Sequence, residues 1–199
     1  SVFFAAGLTA MFMIVDRIGT HEVAALNVLI TVTMVAFLPG LGLGLAAATL
    51  VGQALGRNDV DDAERWAWDV SKVGMVIMIC LGLPMALVPE LILSAFFHDE
   101  PEALKLATLP LRLAGLTIWV EALLMVLLNS IMGAGATRIG LFVNVGMQWG
   151  LFLPAAYLIG PVLGWGLIGV WSARILYRAM QAATLMFIWK RRVWANIEV

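Results

Sequence analysis

The sequence predicts an all-α integral membrane protein whose chain crosses the bilayer six times. Hydrophobic residues make up 62% of its 199 residues and charged residues only 13%, whereas soluble domains carry roughly 25% charged residues. The mean hydropathy is +0.98. Several apolar runs also reach the length of about 20 residues that a helix needs to cross the hydrocarbon core. Composition and run length together therefore predict a bundle of membrane-spanning helices.

The same composition argues against several other classes of protein. The net charge is −1 and no basic patch with interleaved aromatic residues occurs, so no nucleic-acid partner is expected. Cys80 is the single cysteine and cannot form an internal disulfide, while His21 and His98 are too few for a metal site. Residues 42–47 match the loose dinucleotide pattern G-x-G-x-x-A, but they lie inside an apolar helix. We therefore expect no bound cofactor.

Six apolar segments follow one another along the chain. The predicted spans cover approximately residues 2–18, 22–55, 66–88, 103–132, 139–159 and 162–189. Helical periodicity is weak in them, as in helices that are apolar nearly all round. We expect residues 1–199 to form one transmembrane lobe. Because the sequence opens inside an apolar run, without the basic start of a signal peptide, we also expect it to begin within a longer protein.

The second segment is the one around which the others are arranged. It is uncharged from Val23 to Leu55, too long for one straight span. Proline removes a helical hydrogen bond, so Pro39 and Gly40 are predicted to form a hinge. Gly56 is predicted to end the helix as a left-handed cap. Small residues recur every fourth position and predict a face for close helix packing; they are Gly40, Gly44, Ala48 and Gly52.

The boundaries of the later segments follow from charge and proline. Asp61 and Asp62 suit the first turn of the third helix, because the helix dipole favours negative charge there. This segment ends before Pro89, and the polar corner at 98–102 precedes the fourth. The sixth segment ends in the basic residues 190–192.

The distribution of lysine and arginine predicts the orientation. Cytoplasmic loops carry an excess of these residues. With both termini cytoplasmic, the outer loops hold the basic residues Arg17 and Lys105, together with the acidic residues Glu90, Asp99, Glu100 and Glu102. The inner loops then hold Arg57, Arg65, Arg138, Lys190, Arg191 and Arg192. We therefore expect a multi-pass protein of the plasma (inner) membrane with both ends inside.

Five short motifs carry a family resemblance. They are GTHEVAA at 19–25, FLPG at 37–40, TLVGQALG at 49–56, GAGATR at 133–138 and GLIGVW at 166–171. In combination they resemble the second half of multidrug and toxic compound extrusion (MATE) transporters of the MOP superfamily. The resemblance extends over essentially the whole chain.

The resemblance implies a function as well as a fold. The family has twelve spans in two similar lobes, which makes this chain similar to the C-terminal lobe of six helices. It implies a proton- or sodium-coupled antiporter that exports cationic, amphipathic organic compounds. The implied partners are the N-terminal lobe of the same transporter or a second copy, the lipid bilayer, and the small organic cations themselves.

Glu121 is the most informative single residue. It is predicted near the middle of the fourth span, where a charge costs several kcal/mol and is functional by default. Thr117 lies one turn earlier on the same face. The resemblance implies a cation-coupling carboxylate on this helix and places Glu121 where many members carry Asp, and Thr117 where some carry Tyr. The alternative is that Glu121 only pairs with an arginine of another helix.

One departure from the family bears on the coupling ion. One branch carries a second acidic residue early in the first span of this lobe, where this sequence reads VFFAA at 2–6. A sodium site made of two carboxylates is therefore in doubt, and proton coupling through Glu121 is the simpler interpretation.

Four residues are candidates for lining a substrate cavity. Asn144 and Gln148 are predicted one turn apart on the fifth helix, beside Trp149, whose ring could stack on flat cations. Asn27 on the second helix is similarly polar within an apolar run. The alternative is that these polar side chains form hydrogen bonds between helices.

Arg174 and Arg178 lie one turn apart, deep in the sixth span. Either could pair with Glu121, which would weaken the hypothesis of proton coupling. They are also the only basic residues suited to the cavity of a lipid or oligosaccharide-lipid flippase, the second interpretation. A non-transporting membrane subunit is the third. An intramembrane enzyme is not expected, because no nucleophile–base pair accompanies Glu121.

Overall fold

The computed structural model describes residues 2–35, 37–97 and 101–196, with the side chains of 2–5 and 196 left aside. Within these ranges the regular structure is helical, as predicted, and no strand occurs. Two π-helical turns interrupt the fifth predicted span, at Gln148–Phe152 and Leu158–Val162. The α-helices are α1 Val2–Asp16, α2 Thr20–Met34, α3 Phe37–Gly56, α4 Val60–Leu87, α5 Pro89–Ser94, α6 Pro101–Thr117, α7 Trp119–Gly133, α8 Thr137–Met147, α9 Leu153–Tyr157 and α10 Gly166–Lys190.

The chain divides into two compact units. The first unit comprises residues 1–35, 81–117 and 145–177, and the second comprises 36–80, 118–144 and 178–199. Helices α4, α8 and α10 therefore contribute residues to both units.

In the first unit, α2 packs against α1 and α6, and α1 also packs against α9. A close backbone approach joins α6 to the end of α4 at Gly115. A Cβ atom there would lie 2.5 Å from the Gly82 carbonyl oxygen and 2.7 Å from the Ala86 nitrogen. The glycine is thus required for the two backbones to meet. Large buried side chains of this unit are Leu26, Leu29, Leu93, Leu111 and Leu167.

In the second unit, α3 packs along α7. The predicted small-residue face of α3 makes this contact. A Cβ atom on Gly44 would lie 2.6 Å from Asn129 Nδ2 and 3.1 Å from the Met125 carbonyl oxygen. From the other side, a Cβ atom on Gly133 would lie 2.7 Å from the Cα atom of Ala48. The two helices therefore meet at backbone distance.

The end of α3 differs from the prediction in its capping residue. The residue with positive φ is Asn58 (φ 59°), two positions after Gly56. The Asn58 amide donates to the Leu55 carbonyl at 2.9 Å, and the Asp59 amide donates to the Ala54 carbonyl at 3.0 Å. This is a Schellman motif, in which asparagine is the usual substitute for glycine because it tolerates the left-handed region.

Two of the predicted spans are each divided into two separate helices. The prediction of a hinge at Pro39 and Gly40 is wrong in position, because α2 ends at Met34 and α3 begins at Phe37. Pro39 and Gly40 lie in the first turn of α3, where a proline costs no helical hydrogen bond. The predicted span 103–132 is likewise two helices, α6 and α7, separated by Ile118.

Within the part of the chain that the structure describes, three helical segments are long and apolar enough to cross a membrane on their own: Phe37–Gly56, Val60–Leu87 and Thr137–Val162. A fourth span results if α6 and α7 count as one broken span. In α1, residues Ala6–Asp16 count as a shorter apolar helix. Six spans therefore stay a prediction, although the all-α architecture is confirmed.

Candidate functional site

Glu121 lies in the first turn of α7, directly after the break in the fourth predicted span. Its backbone amide donates to the Ile118 carbonyl at 3.0 Å. The helix dipole favours a carboxylate in this position. The structure thus corrects the expectation of a mid-helix glutamate: Glu121 stands where a new helix begins, and its side chain is about one quarter exposed, at 26%.

The partner of Glu121 is Arg178 of α10. The Arg178 Nε atom donates to Glu121 Oε1 at 2.8 Å, and Nη2 donates to Oε2. The arginine side chain is 20% exposed. Two parallel bonds from a guanidinium to a carboxylate form the strongest common type of ion pair in proteins. The structure therefore assigns to Arg178 the pairing that the sequence left open between two arginines.

Two amide side chains extend this pair into a network. Arg178 Nη1 donates to Gln181 Oε1 at 3.1 Å, and Gln181 Nε2 donates to Asn144 Oδ1 at 2.9 Å. Gln181 is only 1% exposed, so both ends of its amide are satisfied inside the protein. The network links α7, α10 and α8, and its four residues all belong to the second unit.

Gln181 was missed in the sequence analysis. Its signal was available, because it stands three residues after Arg178 in an apolar helix and therefore on the same face. Asn144, predicted to line a cavity, accepts a hydrogen bond from another helix, which is the alternative that the sequence left open.

Thr117 does not join this network through its hydroxyl group. It is the last residue of α6 and belongs to the first unit, whereas Glu121 belongs to the second. Its hydroxyl donates back to the Leu113 carbonyl at 2.7 Å. The expectation of one helical face shared by Thr117 and Glu121 assumed an unbroken helix, and the break at Ile118 removes that assumption.

The remaining cavity candidates lie in the first unit. Gln148 is 7% exposed and packs on Gly7, where a Cβ atom would lie 2.7 Å from the Gln148 Cδ atom. Trp149 is exposed, and so is Asn27, whose carbonyl accepts a bond from Thr31 at 2.9 Å. Asn27, Gln148 and Trp149 stay predictions as substrate-lining residues.

Arg174 occupies a different environment from Arg178. Its guanidinium lies over the ring of Trp171, 4.9 Å from the ring centre, in the first unit. Trp171 is 2% exposed. This cation–π contact holds the arginine on its own helix.

A second charged group closes the end of the second unit. Arg192 follows α10 with a positive φ of 53°, and it donates to Glu64 Oε2 at 2.9 Å and to Asp61 Oδ1 at 2.6 Å. The hydrogen bonds that Arg192 donates to Asp61 and Glu64 raise its pKa above the usual value. Nearby, Trp194 stacks on Trp189 with ring centres 4.1 Å apart. These contacts fold the segment after α10 back onto the start of α4.

A family model and several curated proteins match this sequence. The MatE family model matches residues 1–158. The probable multidrug resistance protein NorM of Brucella suis is 28% identical over 197 residues, which cover 97% of this chain and 41% of that protein. The uncharacterized transporter YisQ of Bacillus subtilis is 27% identical over 173 residues, covering 82% and 36%. The chain thus spans less than half the length of these curated relatives.

Solved structures show the same fold. A crystal structure of MATE in complex with MaD5 superposes with a TM-score of 0.85 at 18% identity, covering 99% of this chain and 45% of that one. A MOP superfamily transporter from Pyrococcus furiosus gives a TM-score of 0.78 at 18% identity, covering 100% and 44%. The predicted MATE-like fold is confirmed by this agreement.

Proposed function

Because this chain belongs to the MatE family, we propose that it forms one lobe of a secondary active antiporter. The antiporter exports cationic, amphipathic organic compounds across the plasma (inner) membrane in exchange for protons or sodium ions. A second lobe, from the same transporter or from a second copy, supplies the other half of the substrate cavity. Transporter lobes of this kind are related by internal symmetry and bind substrate between them.

The observation that carries this proposal is the Glu121–Arg178 pair. Ionisable side chains are rare in membrane helices because of their cost, and those present usually mark ion or substrate pathways. Here the carboxylate stands at a helix start and contacts a second helix, and the network reaches a third. A change in what neutralises Glu121 therefore changes contacts among α7, α10 and α8. Coupling requires such an ion-dependent preference for one conformation.

The second candidate is a membrane subunit that does not transport, in which the pair only joins helices. The bidentate geometry favours this alternative, because such a pair satisfies both side chains without any ion. A lipid or oligosaccharide-lipid flippase is less well supported, because Glu121 neutralises Arg178, one of the two arginines suited to the cavity of such a protein.

Substrate efflux by the intact gene product in vesicles tests the proposal. Wild type and Glu121→Gln are compared under separate proton and sodium gradients. We expect Glu121→Gln to abolish gradient-driven efflux, because the glutamine amide carries no negative charge with which to bind a proton or a sodium ion. The gradient that drives wild-type efflux identifies the coupling ion.

Glu90→Gln is the matched control. Glu90 is an exposed carboxylate in the first turn of α5, outside the network. It is expected to transport like wild type. Efflux by inserted, folded Glu121→Gln at the wild-type rate would refute a coupling role for Glu121 and favour the structural pair.

A further inference from the structure

Arg178 is a cation that the protein itself supplies to Glu121. We propose that Arg178 competes with the coupling ion, so that the carboxylate holds either the guanidinium or the ion. This inference rests on the proposed function and names the residue that regulates the same site.

The geometry makes the two states mutually exclusive. Each carboxylate oxygen of Glu121 accepts an N–H donor of the same guanidinium, Oε1 from Nε and Oε2 from Nη2. These two N–H groups occupy one lone-pair site on each oxygen. A proton or an alkali cation bound at the same carboxylate adds positive charge beside the guanidinium. Like charges at such distance repel. An ion therefore binds Glu121 only when Arg178 has moved away.

The surroundings supply a place for the displaced guanidinium. Gln181 Oε1 accepts from Arg178 Nη1, and Gln181 is itself held by Asn144. These two amide contacts do not involve Glu121, so they persist when the ion pair opens. A guanidinium that keeps a polar partner is cheaper to displace than one that loses every hydrogen bond.

Competing charges on the neighbouring elements are few. Glu121 is the only charged residue of α7, and α3, which packs along α7, has none between Phe37 and Gly56. Within the described part of the chain, α8 has Arg138 in its first turn, and Asn144 is its contact to the network. Helix α4 meets α7 at Gly74, where a Cβ atom would lie 3.3 Å from the Ala122 Cβ atom, and the nearest cation along α4, Lys72, pairs with Asp69 at 2.9 Å. Arg178 is thus the cation in contact with the carboxylate.

Competition of this kind gives the pair a role in coupling. Opening the Glu121–Arg178 pair breaks a contact between α7 and α10. The coupling ion binds only the state in which the pair is open. An ion that binds one state alone shifts the population toward that state. In a pair with a purely structural role, Glu121 and Arg178 would stay together in every state of the transporter.

The first test measures how efflux by the intact gene product depends on coupling-ion concentration, in a proton arm and a sodium arm. Removal of the competitor in Arg178→Gln is expected to raise the apparent affinity for the coupling ion about 5- to 150-fold, the usual range of coupling between two sites. Arg178→Lys keeps a charge but not the two-donor fork, so an intermediate value is expected.

Arg174→Gln is the matched control. Arg174 lies one turn earlier on α10, and its guanidinium rests on the Trp171 ring. Its removal eliminates the same charge from the same helix, and it is expected to leave the apparent ion affinity unchanged. An equal shift in both variants would show a general effect of charge and overturn the competition.

A second test does not depend on transport. Hydrophobic carbodiimides modify protonated carboxyl groups in apolar surroundings, so they report whether Glu121 is open to a proton. We expect slow labelling of Glu121 in wild type, faster labelling in Arg178→Gln and an intermediate rate in Arg178→Lys, with Glu121→Gln as the unlabelled reference.

The two readouts separate the possible failures. Wild-type labelling rates in both Arg178 variants would overturn the competition, and Arg178→Lys decides alone if Arg178→Gln does not insert. Faster labelling without gradient-driven efflux in any variant would support competition at Glu121 and refute the proposed function. Faster labelling with a raised apparent ion affinity would support both.

Discussion

At the scale of single residues, the second unit balances its interior charge through one carboxylate and one guanidinium. Glu121 and Arg178 are each mostly buried, and a charge left alone at that depth would be costly. The planar fork of arginine satisfies both carboxylate oxygens at once, which the point charge of a lysine cannot do. The pair is therefore stable as it stands, and only an event that separates α7 from α10 exposes its charges.

Gln181 holds this arrangement in place, and its replacement should be measurable as stability. Gln181→Leu removes the partners of Arg178 Nη1 and Asn144 Oδ1. Because hydrogen bonds between membrane helices contribute on average about 0.6 kcal/mol each, we expect a loss of about 1 kcal/mol in the free energy of unfolding. Denaturant titration in detergent measures it.

Thr184→Val is the control for Gln181→Leu. The hydroxyl of Thr184 bonds only to the Met180 carbonyl of its own helix among the bonds described, at 2.9 Å. Little change in stability is expected from its loss. If the two variants lose equal stability, Gln181 does not organise the network.

At the scale of elements, Glu121 is positioned by the seam between α3 and α7, where Gly44 and Ala48 of α3 meet Met125 and Gly133 of α7. Glycine on both helices lets the backbones touch, and small residues serve this purpose in membranes because packing, not hydrophobic exclusion, drives association there. The start of α7 is thereby fixed by a contact that lies further along the same helix, near Gly133. The loop after α7 is also fixed: Gly135 has a φ of 83° and closes a Schellman motif with Ala136.

Gly133→Ala tests the seam. The new methyl group would meet the backbone of Ala48, with the Cα atom 2.7 Å away. Backbone cannot rotate aside as a side chain can, so we expect destabilisation of about 1–3 kcal/mol, the cost of overpacking. The melting temperature in detergent should fall accordingly.

Gly42→Ala provides the comparison for the seam. A Cβ atom on Gly42 of α3 would have no atom within 4 Å. Alanine favours a helix over glycine by up to about 1 kcal/mol, so this variant should be as stable as wild type or more stable. If Gly133→Ala has the same melting temperature as wild type, the two helices are further apart than described.

At the scale of the whole molecule, basic residues are unevenly divided. The first unit contains Arg17, Lys105, Arg112 and Arg174, and every other lysine and arginine belongs to the second unit. The excess in cytoplasmic loops that orients membrane proteins predicts that the loop at 57–59 and the segment after α10 lie in the cytoplasm.

Cysteine labelling in whole cells tests this orientation. Cys80 is exposed and must first be replaced by alanine. In that background, Asn58→Cys should be protected from an impermeant thiol reagent until the cells are opened, whereas Glu90→Cys should react at once. Labelling of Asn58→Cys in intact cells would reverse the proposed orientation.

The sequence determined the class of this protein and much of its local structure. An apolar composition predicts helices, because backbone groups in lipid must bond within the same segment. The four-residue repeat of small residues predicted the face of α3 that meets α7. Glu121 could also be identified without a structure, because a charged residue in an apolar run is energetically unfavourable and therefore rare.

Tertiary structure decided what these residues contact. No proline marks the breaks before Phe37 and at Ile118, so the sequence did not predict them. The break at Ile118 separates Thr117 from Glu121. Either of two arginines one turn apart could have met the carboxylate, and only the placement of α10 beside α7 selects Arg178. Gln181 became a member of the site because that placement turns its face toward α8. Hydropathy indicates which segments lie in the membrane. Helices that are apolar nearly all round carry little information about which side faces which neighbour.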